Sequence, residues 1–213
     1  MLICRCAASK AFWIVSVMGG LFAGVGRFSP QLAYAQAPSP SFVYSSYLGG
    51  RDYDSAEAVA VDAHGYIYTT GETHSRNFPV VNAHQTECRL GSLGSCTEAF
   101  VTKLKPDGSG VVYSTYFGGT SNDKGYGIAA DAQGNAYVTG AMDNAAFVAK
   151  FDAEGRLVYQ RTFSGYPITI GRAIAVDAAG NAYITGQTLS REFPVQKALQ
   201  PNPGGVSCYA IGG

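Results

Sequence analysis

The sequence predicts an all-β protein in which one four-stranded unit occurs about three times. Glycine accounts for 27 of 213 residues and charged residues for only 14%, a composition typical of short strands joined by many turns. The second observation is an internal repeat that carries turn-forming residues between apolar segments. A net charge of zero without a basic block argues against a nucleic-acid partner. A hydrophobic fraction of 46% argues against disorder.

Residues 1–35 have the layout of an export signal. Two basic residues precede an apolar run of about 15 residues, and Ala33-Tyr34-Ala35 ends the segment with the small residues that signal peptidase reads. The run is shorter than the ~20 residues needed to span a bilayer, which favours removal over anchoring. We expect cleavage between Ala35 and Gln36 and a linker over 36–41. The product would be periplasmic, at the cell surface or extracellular, without membrane association.

The clearest repeated element is a hairpin turn that begins at an aspartate. A glycine follows three positions later, and then a strand of the Ala-Tyr-Val-Thr-Gly type. The turn residues are Asp62 and Gly65, Asp131 and Gly134, and Asp177 and Gly180. Aspartate bonds to its own backbone and glycine accepts a positive φ, so we interpret these residues as turn formers and not as catalytic acids.

Each unit contains four predicted strands. Strands A and B flank the turn, strand C has the Ala-Phe-Val-Ala-Lys pattern, and strand D has the Val-Tyr-Ser-Thr-Tyr pattern. The units occupy about 42–110, 111–156 and 157–213, with the last one truncated. Four strands in 40–50 residues is the period of a β-propeller blade. A β-sandwich, the alternative, would not need near-identical units.

The predicted ring of blades is incomplete, because propellers have four to eight blades. The D-type strand at 42–48 has no A, B or C strand before it, and we expect it to complete the last blade from the far end of the chain. In the third unit the pattern dissolves after Cys208, where we expect a truncation or a frameshift. Open blade edges would then invite self-association.

Several elements recur in order over nearly all of residues 42–208. They are Val-Tyr-Ser-Thr-Tyr-Phe-Gly-Gly, Gly-Ile-Ala-Ala-Asp-Ala-Gln-Gly-Asn-Ala-Tyr-Val-Thr-Gly and Phe-Val-Ala-Lys, together with Phe78-Pro79 and Phe193-Pro194. This pattern resembles the SBBP repeats, a family of bacterial seven-bladed β-propeller repeats. The resemblance implies a bacterial, exported or cell-surface propeller, usually without an assigned activity.

Cysteine positions also favour an oxidising compartment. Cys88 and Cys96 lie close together in an insert of the first unit, and in an exported protein we expect them to form a disulfide. Two free thiols or a metal site are the alternatives, but neither a histidine pair nor a second cysteine pair supports a metal. Cys208 has no cysteine partner within its own unit, so no disulfide is predicted for it there.

No catalytic motif is present, and other candidate sites have simpler explanations. The sequence lacks Gly-x-Ser-x-Gly, His-Glu-x-x-His and a phosphate loop. Oxygen-bearing side chains in two Gly-Gly loops are compatible with a Ca²⁺ site. We favour the interpretation that they are solvated loop residues, because the third unit lacks these acids. Tyrosines at one strand-B position could stack on sugars, but we favour packing between blades. The loop residues are Asp52, Asp54, Asn122 and Asp123, and the tyrosines are Tyr68, Tyr137 and Tyr183.

These observations predict a scaffold without catalytic residues, cofactor or metal. Its expected role is to bind an unidentified protein or glycan at the cell surface or in the extracellular space. The alternative is part of an extracellular propeller hydrolase or lyase that acts on polysaccharide. Its active site would lie in blades that these three units do not include.

Overall fold

The computed structural model describes residues 2–7, 41–91, 94–163 and 168–202. All regular structure in these ranges is β-strand, which confirms the predicted all-β class. None of the described residues forms a helix that could cross a bilayer. The predicted cleavage site at Ala35 and Gln36 lies outside the described residues, as does Cys208.

Two strands precede the blades and pair with each other. They are β1 (Leu2–Ala7) and β2 (Ser41–Tyr47). Their antiparallel register runs from Leu2 opposite Tyr47 to Ala7 opposite Ser41.

The first two blades are complete four-stranded antiparallel sheets. In each blade the strand order in space equals the order along the chain, so every connection joins neighbouring strands. The first blade contains β3 (Asp54–Val61), β4 (Ile67–Thr73), β5 (Glu98–Leu104) and β6 (Val111–Phe117). The second contains β7 (Lys124–Ala130), β8 (Ala136–Met142), β9 (Ala145–Phe151) and β10 (Leu157–Phe163). These strands are the predicted A, B, C and D strands in that order.

The third blade consists of an A–B hairpin in the described residues. Its strands are β11 (Thr169–Val176) and β12 (Ala182–Thr188), which pair only with each other there. The strand that the sequence predicts to complete the last blade, β2, pairs with β1 in the described residues. A D strand pairs with a C strand in both complete blades, and the described part of the third blade contains no C strand.

Successive blades stack through their A strands. β7 packs against β3, β4 and β5, and β11 packs against β7, β8 and β9. Between the first two blades lies an aromatic core in which the ring of Phe117 is 5.4 Å from that of Phe147 and 5.2 Å from that of Phe151. Edge-to-face contacts of this kind add to the hydrophobic gain from burying the rings.

Exposure along strand A shows which faces lack a neighbouring blade. Val59 in the first blade is 64% exposed, whereas Ile128 at the equivalent position of the second blade is 7% exposed. Ile128 is covered by the blade before it, and among the described residues no blade covers Val59. The stack is therefore open, as the sequence predicts.

Every A strand contains a β-bulge at the same position. The residues without a register partner are Glu57, Tyr126 and Arg172. The bulge pushes a strand-A carbonyl onto a glycine of strand B. A Cβ added at Gly140 would overlap the carbonyl oxygen of Lys124, and Gly71 and Gly186 face the same obstacle. This contact explains the glycine of the repeated Thr-Gly pair.

A second close approach joins neighbouring blades at the threonine of that pair. A Cβ on Gly125 of β7 would overlap the hydroxyl of Thr70 in the preceding blade. Gly171 of β11 meets Thr139 in the same way. The first blade carries Ala56 at this position, where the described residues place no preceding blade. The A strand can therefore approach its neighbour closely only where it has a glycine.

We predict that Gly140→Ala strongly destabilises the protein. The clash is with a backbone oxygen, which no side-chain rotation can relieve, so the bulge itself must move. We expect a loss of about 3 kcal/mol or more, which corresponds to a fall in Tm of roughly 6–12 °C. Thermal unfolding followed by circular dichroism measures it. Gly110→Ala is the control, because its added Cβ would meet nothing closer than 3.6 Å. Equal Tm values for the two variants would contradict the role of the bulge.

Candidate binding site

The predicted turn residues form a hydrogen-bonded unit at one end of each hairpin. In the second blade, Oδ1 of Asp131 accepts hydrogen bonds from the backbone N–H of Gln133 at 3.0 Å and of Asn135 at 2.9 Å. Gly134 has a φ of 81°, which favours glycine. Asp62 and Asp177 make the same backbone contacts. Hydrogen bonds from Asn181 hold the pKa of Asp177 below its ordinary value.

The second carboxylate oxygen of each aspartate accepts a hydrogen bond from the strand-B tyrosine. The oxygen–oxygen distances are 2.8 Å to Tyr68, 3.1 Å to Tyr137 and 3.0 Å to Tyr183. Tyr68 and Tyr137 are fully buried, whereas Tyr183 is 60% exposed. The first two therefore pack between blades and cannot stack on a sugar. The hydroxyl of Tyr68 also lies 2.9 Å from the carbonyl oxygen of Gly134 in the next blade.

A lysine of strand C, which was not among the residues predicted to form a site, reinforces this contact between blades. Nζ of Lys103 donates to the carbonyl oxygens of Gly134 at 3.2 Å and Ala153 at 3.1 Å, both in the second blade. It also lies 5.1 Å from the ring centre of Tyr68. Burial lowers the pKa of Lys103. The lysine that recurs in the strand-C pattern is the sequence feature that indicates this contact.

Two of the loop acids that could bind Ca²⁺, Asp54 and Asp123, are engaged by the protein itself, whereas Asp52 and Asn122 are exposed. The carboxylate of Asp54 accepts hydrogen bonds from the backbone of Gly50 at 2.7 Å, from Ser75 at 3.0 Å and from the Thr73 hydroxyl. That of Asp123 accepts two backbone hydrogen bonds. Within the described ranges, no three His, Cys, Asp or Glu side chains form an arrangement suited to a metal.

The insert of the first blade is held by a disulfide and by a buried carboxyl group. Cys88 and Cys96 are bonded, as predicted, with a Cα–Cα distance of 5.9 Å. Oε1 of Glu98 accepts hydrogen bonds from the backbone N–H of Arg89 at 2.8 Å and from the Gln85 side chain at 3.2 Å. Glu98 therefore fastens the insert to the start of β5.

The other oxygen of Glu98 faces a second carboxyl group at the junction of the first two blades. Oε2 of Glu98 is buried and has no hydrogen-bond partner. A Cβ on Gly118 would overlap both this oxygen and Oδ2 of Asp123, so the two carboxyl groups are close neighbours. Burial raises the pKa of Glu98 to about 7 and that of Asp123 to about 6. The proximity of Asp123 raises the pKa of Glu98 further, while Arg89 opposes the shift.

The three bulge residues form a row along the adjacent A strands, which we call the bulge row (Glu57, Tyr126, Arg172). The guanidinium carbon of Arg172 lies 4.5 Å from the ring centre of Tyr126. Nζ of Lys124 contacts Glu57 at 2.8 Å and Glu72 at 3.1 Å. The hydrogen bond from Lys124 contributes most to holding the pKa of Glu57 below its ordinary value.

The side chains of the bulge row are accessible to solvent and differ in chemical type. Glu57 and Arg172 are exposed and Tyr126 is half-buried, so an acid, an aromatic ring and a base meet the solvent at one structural position. A planar guanidinium offers several donors for oxygen ligands, and stacking on the ring holds it in place. The sequence alone does not reveal this row, because a bulge is defined by strand register.

Comparison with known proteins gives one family. A model described as a β-propeller repeat (SBBP) matches residues 43–79, 112–141 and 163–194. Each matched segment includes the A strand of one blade with its bulge, and most of strand B. No curated protein matches the chain at a significant level.

We predict that Glu98 makes folding stability fall as the pH rises from about 5 to 8. Its folded pKa of about 7 lies above the ordinary 4.5, so the folded state keeps a proton that the unfolded state releases. The stabilisation is complete below about pH 4.5 and is lost as the pH rises through 7. Glu98→Gln should flatten this dependence of Tm, whereas Glu87→Gln, on the exposed part of the insert, should not. Parallel curves for Glu98→Gln and wild type would refute the assignment.

Proposed function

Because the chain belongs to the SBBP β-propeller repeat family, we propose that it is an exported, non-enzymatic scaffold that binds a protein or glycan outside the cytoplasm. A fold alone does not identify a function. The proposal depends on one observation, the bulge row of Glu57, Tyr126 and Arg172 on neighbouring strands.

The side chains of the bulge row are available for binding, because strand pairing does not constrain their identity. The strand-B residue opposite the bulge is glycine in all three blades, since the backbone contact allows nothing else. The bulged residue itself changes from acid to aromatic to base. Such variation within an otherwise constant repeat is expected where side chains contact a ligand and strand pairing does not fix their identity.

Six acids of the described residues are buried, ion-paired or held in turns, which supports a role without catalysis. A general acid or base must reach its substrate and have a pKa suited to proton transfer. Glu98 has a raised pKa, but it is fully buried and no substrate can touch it. Glu57 and Glu72 reach the surface but are paired with Lys124. Asp62, Asp131 and Asp177 are occupied by their turns.

Export is supported by the layout of residues 1–35 and by the Cys88–Cys96 disulfide, since disulfides persist in oxidising compartments. Signal removal would also detach β1 and expose the edge of β2, which pairs only with β1 in the described residues. Export therefore changes which strand edges the scaffold presents.

We predict that the protein recovered from the periplasm or medium of a producing bacterium begins at Gln36. Signal peptidase cleaves after the small residue of the Ala33-Tyr34-Ala35 site, and N-terminal sequencing reads the new end. An Ala35→Arg variant should accumulate uncleaved. Recovery of a chain that still begins at Met1 outside the cytoplasm would contradict the signal assignment.

We predict that Arg172→Ala and Tyr126→Ala each weaken retention of the protein on its ligand about tenfold, a loss of about 1.4 kcal/mol. Pull-down with a panel of insoluble glycans and cell-surface proteins measures retention, and an assay for new reducing ends runs beside it. Arg51→Ala removes an exposed charge outside the row and should bind like wild type. Turnover of a glycan would overturn the proposal and favour the hydrolase or lyase. Equal retention of all variants would exclude the bulge row.

A further inference from the structure

We propose that a pocket between the first two blades binds a neutral saccharide unit. The inference rests on the proposed scaffold function and specifies the chemical class of one of its ligands. The pocket has a volume of about 330 Å³, and none of its described lining residues belongs to the bulge row. This volume is near the lower end of the ~300–1,000 Å³ typical of small-molecule sites, which suits one or two sugar rings.

Three hairpin turns meet around this pocket. The A–B turn of the first blade contributes His64, the A–B turn of the second blade contributes Gln133, and the C–D turn of the second blade contributes Glu154. Two different blades therefore form the walls, and the pocket exists because these blades stack.

The walls are fixed by one turn geometry that occurs three times. Each turn begins with an aspartate whose Oδ1 accepts two backbone hydrogen bonds at 2.9 to 3.0 Å. A glycine three residues later has a φ between 81° and 89°. The aspartates are Asp62, Asp131 and Asp152. Because a preformed wall lowers the ordering cost of binding, the pocket can receive a ligand without refolding its turns.

A buried ammonium group also lines the pocket. Lys103 is 4% exposed, and its Nζ donates to the carbonyl oxygens of Gly134 and Ala153. An ammonium group has three N–H donors, so these contacts leave one. Among the described residues no carboxylate forms an ion pair with Lys103. The remaining donor can therefore bind a ligand oxygen.

The charges of the lining favour a neutral ligand. Asp62 and Glu154 line the pocket together with Lys103, so the ammonium group does not create a surplus of positive charge. An anion would face both carboxylates. A cation would meet the Lys103 ammonium, which already lies 4.7 Å from the ring centre of Tyr66. Hydroxyl groups suit this mixture, since they donate to carboxylates and accept from ammonium.

Two exposed side chains add hydrogen-bonding groups that have no internal partner. His64 and Gln133 occupy the same position in their turns, two residues after the aspartate, and both line the pocket. Within the described ranges, only their backbone N–H groups take part in hydrogen bonds. Imidazole and amide groups both donate and accept, as sugar hydroxyl groups do.

Apolar contact completes the match to a saccharide. The ring of Tyr66 and the side chain of Val112 line the pocket beside these polar groups. A sugar ring carries hydroxyl groups around its rim and C–H groups on its faces. The C–H groups can pack on the electron-rich face of an aromatic ring, while the hydroxyl groups reach the polar side chains. The pocket therefore offers both kinds of contact that a neutral sugar needs.

The test is a titration of the isotope-labelled full chain with glucose, galactose and N-acetylglucosamine, followed through amide chemical shifts by nuclear magnetic resonance. We expect at least one of these sugars to cause saturable shifts in residues 62–66, 131–135 and 152–156. Inorganic phosphate and choline, the charged probes, should not shift these residues. The sugar that binds should also release the chain from an insoluble glycan built of that sugar.

Two substitutions test the side chains of the pocket. Gln133→Ala should weaken sugar binding about fivefold, and the double variant with His64→Ala should weaken it about tenfold or more, because each removes hydrogen bonds to the ligand. Gln196→Ala is the matched control, since it removes an exposed glutamine that does not line the pocket, and it should bind like wild type. All variants should keep the Tm of the wild type, because these side chains make no internal hydrogen bond.

Three outcomes would overturn the inference. They are no saturable shift with any of the three sugars, larger shifts from phosphate or choline, and wild-type affinity in the double variant. Saturable shifts without release from the glycan would support the pocket and assign it to a free sugar. Retention on the ligand panel that depends on Arg172, without sugar shifts, would remove the pocket and leave the scaffold function standing. Sugar shifts together with unchanged panel retention in Arg172→Ala would support the pocket and exclude the bulge row.

Discussion

The contact between a strand-A carbonyl and a strand-B glycine determines most of this architecture. The lysine, serine or isoleucine carbonyl before the bulge occupies space that a Cβ at Gly71, Gly140 or Gly186 would need. With the bulge in place, the glycine beside it in β7 and β11 can approach a threonine of the preceding blade. This close approach allows each of these A strands to pack against the preceding blade. The aromatic core lies between the first two blades. In each blade the bulged residue has no register partner. Its side chain is exposed or half-buried.

What the sequence predicted well is local. The turns at Asp62, Asp131 and Asp177 need contacts within four residues, and Cys88 and Cys96 are brought together within one insert. Strand identity followed from β-branched and aromatic segments between turn residues. The repeat itself indicated how many strands each blade contains, and the count holds for both complete blades.

What the sequence did not reveal depends on register or on packing between blades. Glu98 and Asp123 belong to different blades and meet only because Gly118 leaves room between them. Predicting the bulge row requires knowledge of which strand residue lacks a register partner, and composition does not encode register. The pairing of β2 with β1 was missed for a related reason, because strand choice depends on which edges are available.

Identical residues have different roles in this chain according to what lies beside them. The strand-B tyrosine is buried in two blades and exposed in the third, although its aspartate partner is present in all three. A lysine from strand C covers the first two, and none in the described residues covers Tyr183. In the two complete blades this tyrosine is therefore part of a buried contact that includes a lysine of the same blade's C strand. In the third blade the same aspartate–tyrosine pair lies on the exposed surface of the described residues.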